Sequence, residues 1–226
     1  MDFDLNFEGA THTMVAAPTQ SGKSWFVGAS CEQMYDNEIP FVIMDTKTTN
    51  HIGLQELPNV KVLRIKAGIT YDWSKLVDYD YLLCVPTLRT QTKDLIIQYR
   101  AMLDFLWTEP GERIFVIEEA HNWNKNSSVP DPLLEQIARE GAGLKKHLWF
   151  VTQRLQNFNQ LLWGQCRDTY LFHFNIPSDI RYAGQMIPNF EELNRQLELH
   201  DVLAWDGRDY EIIKAAQVTR RTPHRG

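Results

Sequence analysis

The segment from Ala17 to Ser24 constrains the fold more than any other part of the sequence. It follows an apolar run at residues 13–17, which predicts a buried strand, and it opens a helical pattern from Lys23 to about Tyr35. A strand, a short loop ending in Gly-Lys-Ser and a helix form the arrangement in which backbone N–H groups and a helix N-terminus bind phosphate. The segment therefore predicts an α/β fold with a nucleotide-phosphate loop after its first strand.

The residue types in this loop suit phosphate and metal binding. Gly22 permits close backbone approach, the Lys23 ammonium reaches the β- and γ-phosphates, and the Ser24 hydroxyl is a Mg²⁺ ligand. Ala17 stands where the usual pattern has its first glycine, and a chance Gly-Lys-Ser turn is the alternative interpretation. The predicted nucleotide contacts are Ala17, Pro18, Thr19, Gln20, Ser21, Gly22, Lys23, Ser24 and Trp25.

A second apolar run, at residues 114–117, ends in two adjacent carboxylates. After a phosphate loop, Glu118 is predicted to help hold the Mg²⁺ shell and Glu119 to polarise the attacking water. Taken alone, such a pair is more often a solvated acidic turn. Gln153 ends another apolar run, and the carboxyl ends of parallel strands share one edge, so Gln153 is predicted to face the γ-phosphate. Together these residues predict ATP hydrolysis with Mg²⁺.

Apolar runs bounded by turn residues alternate with helical patterns along the chain, which predicts a mainly parallel sheet with helices on both faces. Further strands are predicted at residues 41–44, 60–65, 81–85, 148–152 and 169–174, and helices at 92–107, 132–140 and 191–199. Ser178 is predicted to cap a short helix. Residues 202–205 and 211–214 flank an Asp-Gly-Arg turn and predict a C-terminal β-hairpin. Without a linker or repeat, residues 1–226 are expected to form one domain.

Composition narrows the functional classes. A net charge of −6 argues against a protein that coats nucleic acid through its whole surface, so any DNA contacts are expected to be local. The three cysteines lack metal-ligand spacing, which suits a reducing compartment. The acidic start has no apolar signal-peptide core, and the longest apolar runs are too short to span a bilayer. A basic tail at residues 220–225 is expected to be solvated and frayed.

Three segments together resemble the FtsK/HerA superfamily of DNA-pumping ATPases. They are Glu-Glu-Ala-His-Asn at 118–122, Ala-Arg-Glu-Gly at 138–141 and Thr-Gln-Arg at 152–154. Within that superfamily the chain is similar to the genome-packaging ATPases of tailless, internal-membrane icosahedral viruses such as phage PRD1. The resemblance covers residues 13–185 and implies a RecA/ASCE-like P-loop core. It also implies ATP-driven movement of double-stranded DNA into a preformed capsid.

The resemblance further implies a homo-oligomeric ring, expected to be a hexamer, that works with viral portal or packaging-vertex proteins. Such a protein is expected in the host cytoplasm and in the virion, at the packaging vertex, without a membrane span of its own. Three alternatives remain open on sequence grounds. They are a HerA/FtsK-like cellular or plasmid DNA pump, a Zot-like ATPase that drives virion protein assembly, and a metabolic kinase.

In such rings an arginine from a neighbouring subunit stabilises charge on the transferring phosphoryl group. The family's second basic position falls on Ala142 and Gly143 here, so Arg139 is the first candidate for this catalytic role. A helix-surface arginine is the alternative. Other candidates are Lys145, Arg154, Arg167 and Arg181.

Four further features have two interpretations each. Loops at residues 89–93 and 123–128 are candidate DNA contacts or plain surface turns. Asp45 supports the metal or caps a turn, and His121 relays the nucleotide state or packs in the core.

Overall fold

The computed structural model describes residues 3–5, 7, 11–88, 90–124 and 126–224. Its strands are β1 (His12–Ala16), β2 (Phe41–Met44), β3 (Lys61–Ile65), β4 (Tyr81–Pro86), β5 (Arg113–Ile117), β6 (Lys146–Thr152), β7 (Cys166–Leu171), β8 (Val202–Trp205) and β9 (Tyr210–Ile213). Its α-helices are α1 (Lys23–Asp36), α2 (Thr92–Leu106), α3 (Pro132–Glu140), α4 (Gln160–Trp163), α5 (Pro177–Ala183) and α6 (Phe190–Gln196). Short 3₁₀ helices at Ile52–Glu56, Ala120–Asn122 and Ala215–Gln217 lie in connections that matter below.

The strands form one sheet in the order β3-β4-β2-β5-β6-β1-β7-β8-β9. All pairs from β3 to β7 are parallel, whereas β8 and β9 add an antiparallel hairpin at one edge. The predicted mainly parallel α/β fold with a C-terminal β-hairpin is therefore confirmed. At the hairpin turn, Gly207 has a φ of +94° and the Asp206 carboxylate accepts the Arg208 and Asp209 N–H groups.

The register of the central strands brings the predicted site residues to one edge. Ala16 pairs with Thr152, and Met44 pairs with Ile117. The residues that follow these four strand ends are the start of the phosphate loop, Gln153, Asp45 and Glu118. Parallel strands thus place segments that are far apart in sequence around one ligand-binding edge, as in other open α/β sheets.

Side chains alternate between two apolar layers. Met14 and Ala16 of β1 face a core built with α2 to α6, while Val15 and Ala17 face a second core built mainly with α1. Helices therefore cover both faces, as predicted, but unequally. No helix within the described ranges is long and apolar enough to cross a membrane.

Several predicted boundaries were wrong: β6 begins at Lys146 and not at 148, β7 begins at Cys166 and not at 169, and β9 covers Tyr210–Ile213 and not 211–214. β7 ends at Leu171, because β1 stops at Ala16, whose carbonyl accepts the Phe172 N–H as the last bond of the pair. Residues 172–174 stay outside the ladder, and the Asn194 side chain satisfies the Phe174 backbone instead. Ser178 lies inside α5, which begins at Pro177, since proline suits the first turn of a helix. Finally, α6 ends at Gln196 and not at residue 199.

Candidate nucleotide-binding site

The phosphate loop joins β1 to α1 in a strained, tightly bonded conformation. Gln20 and Gly22 have φ values of 67° and 97°, a region that glycine adopts without a steric penalty. The Ser21 hydroxyl donates to the Pro18 carbonyl at 2.6 Å. Ala17 is fully buried in the α1-side core, which explains how alanine occupies the position where the usual pattern has glycine. The loop therefore has a left-handed turn at Gly22, immediately before the N-terminus of α1.

Lys23 does not point into solvent but is held by the first carboxylate. Its Nζ lies 3.0 Å from Glu118 Oε2, and His51 Nε2 lies 2.7 Å from Glu118 Oε1. All three side chains are buried. Burial disfavours the charged forms, but the mutual attraction outweighs it, so the pKa of Lys23 is raised and that of Glu118 is lowered to about 2. Both oxygens of Glu118 are thus engaged by protein groups.

Glu119, in contrast, has an unused carboxylate oxygen. It adopts a left-handed conformation with φ of 51° at the turn after β5 and lines the cavity beside the phosphate loop. Its Oε2 is buried without a hydrogen-bond partner among the described residues, with His121 Nδ1 3.5 Å away. Burial raises the pKa of Glu119, and the charge of Lys23 offsets this in part. The group is placed as an acceptor for water or ligand.

Gln153 connects the phosphate loop to the second carboxylate. Its Oε1 accepts the Thr19 hydroxyl at 2.8 Å, its backbone lies near the Glu119 carboxylate, and both residues line the cavity. Next to it, His121 Nδ1 is 2.8 Å from the Thr152 hydroxyl. Burial lowers the pKa of His121 to about 4, so this imidazole is neutral near pH 7. The end of β6 is therefore in contact with both halves of the site.

Asp45, after β2, is a buried carboxylate on the same edge. Its Oδ1 accepts the Lys47 N–H at 2.9 Å, and its Oδ2 has no partner among the residues described. Burial raises the pKa of Asp45 to about 6, against the opposing pull of His51. The turn-cap interpretation is correct for Oδ1, and Oδ2 adds a second unused acceptor near Lys23 and Glu118.

The residues present fit a Mg²⁺ ion that shares its shell with phosphates. The described ranges contain no group of three His, Cys, Asp or Glu side chains that could hold a metal by themselves. Mg²⁺ in nucleotide sites, however, takes one or two protein oxygens together with water and phosphate oxygens. The Ser24 hydroxyl lines the cavity, and the unpartnered oxygens of Glu119 and Asp45 add acceptors nearby. Glu118 could join only if Lys23 released it.

A cavity of about 590 Å³ extends from the phosphate loop to the C-terminal part of the chain. Most of the predicted contacts line it, namely Pro18, Thr19, Gln20, Gly22, Lys23, Ser24 and Trp25, whereas Ala17 and Ser21 do not. Sequence reasoning missed other residues that line the cavity, and two of these, Phe172 and His200, lie against Gly22 of the phosphate loop. The missed residues are Phe26, Asn50, Phe172, His200, Val202, Ala215, Val218 and His224. Among these residues, His200 has an unusual backbone conformation, with a φ of 71°, but a backbone angle leaves no signal in the sequence.

Several predicted residues lie elsewhere. Arg139 is half exposed on α3, where it pairs with Glu135 at 2.7 Å, and it does not line the cavity. Trp123 of the second candidate DNA loop is buried in the core and cannot contact DNA. Arg89 and Lys125 of the two loops fall outside the described residues. For residues 220–224 the prediction of a frayed basic tail was wrong, because Arg220 is buried against α1 and Arg221 is bonded to Glu32 and Asp36. Arg225 falls outside the described residues.

No protein-family model and no curated protein matches the sequence. Solved structures do match in three dimensions. The genome packaging NTPase B204 from Sulfolobus turreted icosahedral virus 2, in complex with ATP-gammaS, superimposes with a TM-score of 0.70 at 15% identity. The match covers 92% of this chain and 98% of that one. B204, the DNA-packaging ATPase from Sulfolobus turreted icosahedral virus, gives the same TM-score and identity over 90% and 97% of the two chains.

VirB4 of Thermoanaerobacter pseudethanolicus is also similar, with a TM-score of 0.67 at 12% identity over 90% of this chain and 88% of that one. At these low identities, the TM-scores of 0.67–0.70 show a shared fold and nothing finer. The chain thus has the fold of P-loop ATPases, and the predicted resemblance is confirmed at the level of architecture.

Proposed function

We propose that this protein is a Mg²⁺-dependent ATPase that translocates double-stranded DNA, and that it packages a viral genome into a preformed capsid. One observation carries the enzymatic part of this proposal. Lys23, Glu119 and Gln153 follow three separate strands, yet they line one cavity with the phosphate loop, and Glu118 is paired with Lys23 at 3.0 Å. A loop for phosphates, a lysine, a polarising carboxylate and a γ-phosphate contact are the parts that phosphoryl transfer to water requires.

The side chains act as follows in this proposal. The N–H groups of the loop and of the α1 N-terminus bind the phosphates, and Lys23 exchanges Glu118 for the β- and γ-phosphate oxygens. That exchange would free Glu118 Oε2, so that Glu118 and Ser24 are the residues that would hold a Mg²⁺ ion. The ion supplies neutralisation of the charge on the phosphates. Glu119 Oε2 accepts a proton from the attacking water while the water oxygen bonds to the γ-phosphorus and the bridging oxygen leaves with ADP. Gln153 leaves Thr19 to contact the γ-phosphate.

The DNA part of the proposal rests on the structural neighbours and on charge. Two similar structures are of a genome-packaging or DNA-packaging ATPase and align over nearly their whole length. With a net charge of −6, DNA contacts must be confined to local loops, as in the pore of a ring of identical subunits. Residues 91–93 and 126–128 offer exposed polar groups for such contacts. Arg139, exposed on α3, is the proposed trans-acting residue of that ring.

The test is ATP hydrolysis by the purified protein, with and without long linear duplex DNA. Lys23→Ala removes the phosphate contact, and Lys66→Ala, at an exposed lysine away from the cavity, is the matched control. We expect hydrolysis that rises with DNA, is lost in Lys23→Ala and is kept in Lys66→Ala. Hydrolysis that ignores DNA would contradict the motor, and would favour the alternative of an ATPase that drives protein assembly or transfer.

A further inference from the structure

Residues 218–224, the last described part of the chain, are bonded to α1 and are not frayed. We call this segment the strap. Glu32 of α1 accepts the Arg221 and Thr222 N–H groups, each at 2.8 Å. The Arg221 guanidinium also makes a two-bonded pair with Asp36, at 2.6 and 2.7 Å. Such bidentate, charge-assisted bonds define a geometry as well as an attraction. The strap therefore has a built docking site on the helix that begins with the phosphate loop.

Two glycines make room for the strap. The Arg220 side chain is buried, donates to the Ser24 carbonyl at 3.2 Å, and lies so close to Gly28 that an added Cβ would be 2.3 Å from its Nη1. On the other side, a Cβ at Gly53 would be 1.9 Å from the Pro223 carbonyl oxygen. At Gly53 the clashing atoms are backbone, so an added methyl group would force the strap to move, whereas at Gly28 it would force the end of the Arg220 side chain to move. Neither glycine has a positive φ. The strap thus fits into a closely matched groove and does not merely rest on the surface.

The docked strap forms one wall of the nucleotide cavity. The Val218 carbonyl accepts the Trp25 indole N–H at 3.0 Å, and the His224 ring lies edge-on to Trp25 with centroids 6.1 Å apart. Val202 and Ala215 complete this end of the cavity. The strap end offers aromatic and apolar surface, which suits a flat ring system.

We propose that the strap is the base-binding element of the site: it closes the cavity around the nucleoside base, between Trp25 and His224 on one side and the hairpin residues on the other. This inference rests on the proposed ATPase function, because it assigns the base of the same nucleotide. Affinity for a nucleoside triphosphate then depends on strap docking, whereas affinity for its phosphates alone does not.

The experiment compares Mg²⁺-dependent binding of ATP and of inorganic tripolyphosphate by calorimetry. Gly53→Ala is expected to displace the strap backbone and Gly28→Ala the Arg220 side chain, and neither glycine lines the cavity. His224→Ala removes an exposed residue of the cavity wall and leaves the core intact. The matched control is Gly143→Ala, where an added methyl group meets open space. We expect the ratio of ATP to tripolyphosphate affinity to fall about tenfold or more in the three test variants, the scale of one base-stacking contact. The control is expected to keep the wild-type ratio.

Tripolyphosphate binding also reports whether each variant retains its phosphate loop. An unchanged ratio in all three variants would overturn the inference. If the ratio is unchanged because both affinities fall equally, the strap acts on the phosphate loop and not on the base. If the wild-type protein bound neither ligand, the proposed ATPase itself would fail. If the wild type bound ATP and the strap variants bound it equally well, only the proposed role of the strap in base binding would be rejected.

Discussion

Replacement of Lys23 by methionine is expected to destabilise the nucleotide-free protein, in addition to abolishing hydrolysis. In the free protein the Lys23 ammonium is paired with Glu118, which is 1% exposed. Removal of one partner of a buried ion pair leaves an uncompensated charge and costs about 3–5 kcal/mol. His51 still bonds the other Glu118 oxygen at 2.7 Å, so the lower end applies, about 3 kcal/mol. For a chain of this size that corresponds to a fall of about 6–12 °C in the unfolding midpoint.

The assay is thermal unfolding in the absence of nucleotide and with a metal chelator. Lys66→Met, at an exposed lysine, is the matched control and is expected to unfold with the wild type. The double variant Lys23→Met/Glu118→Gln carries no unpaired charge at this position and is expected to recover most of the lost stability. Unfolding of Lys23→Met at the wild-type temperature would refute the role of the buried pair, and so would a double variant no more stable than the single one.

Three further predictions concern the same edge of the sheet. Glu119→Gln is expected to bind ATP normally but to lower kcat by a factor of about 10²–10⁴, the usual contribution of a general base; equal losses in binding, measured by calorimetry, would argue against that role. Asp45→Asn is expected to stabilise the protein at neutral pH, because the pKa of Asp45 is about 6 in the folded protein and 3.8 ordinarily. Ionisation of Asp45 therefore lowers the free energy of unfolding by about 3 kcal/mol above pH 6, and this cost is absent below pH 3.8. Urea unfolding at pH 8 and pH 3.5 checks this, and a gain of equal size at both values would contradict it. Mixing inactive Lys23→Ala and Arg139→Ala subunits is expected to restore ATPase activity if Arg139 acts in trans, and no recovery would exclude it.

The parts of the site that sequence predicted depend on short-range patterns. The phosphate loop is contiguous, and its strand and helix flanks are read from local periodicity. Glu119 and Gln153 follow strands, and because parallel strands end at one edge of a sheet, their positions in the chain are sufficient to place them beside the loop. The register of the strands then determines which side chains meet, and the contact of Gln153 with Thr19 agrees with that placement.

The parts that sequence missed depend on docking between distant segments. His51 contacts Glu118 only because a 3₁₀ connection after β2 folds over the sheet edge, and no local pattern marks it. Arg220 lies in a polar stretch whose composition suggests a solvated tail. On α1, however, the Glu32 carboxylate attracts the Arg220 guanidinium and Gly28 leaves space for it. A helix-borne glutamate or glycine carries no sequence signal of the partner it will meet.

The most direct test of the central claim is displacement of a triplex-forming oligonucleotide from linear duplex DNA by the purified protein with ATP and Mg²⁺. A DNA-translocating motor is expected to give displacement that requires ATP hydrolysis and disappears in Glu119→Gln, at DNA concentrations that stimulate hydrolysis by the wild type. Sustained ATP hydrolysis by the wild type with no displacement above the Glu119→Gln background would contradict such a motor.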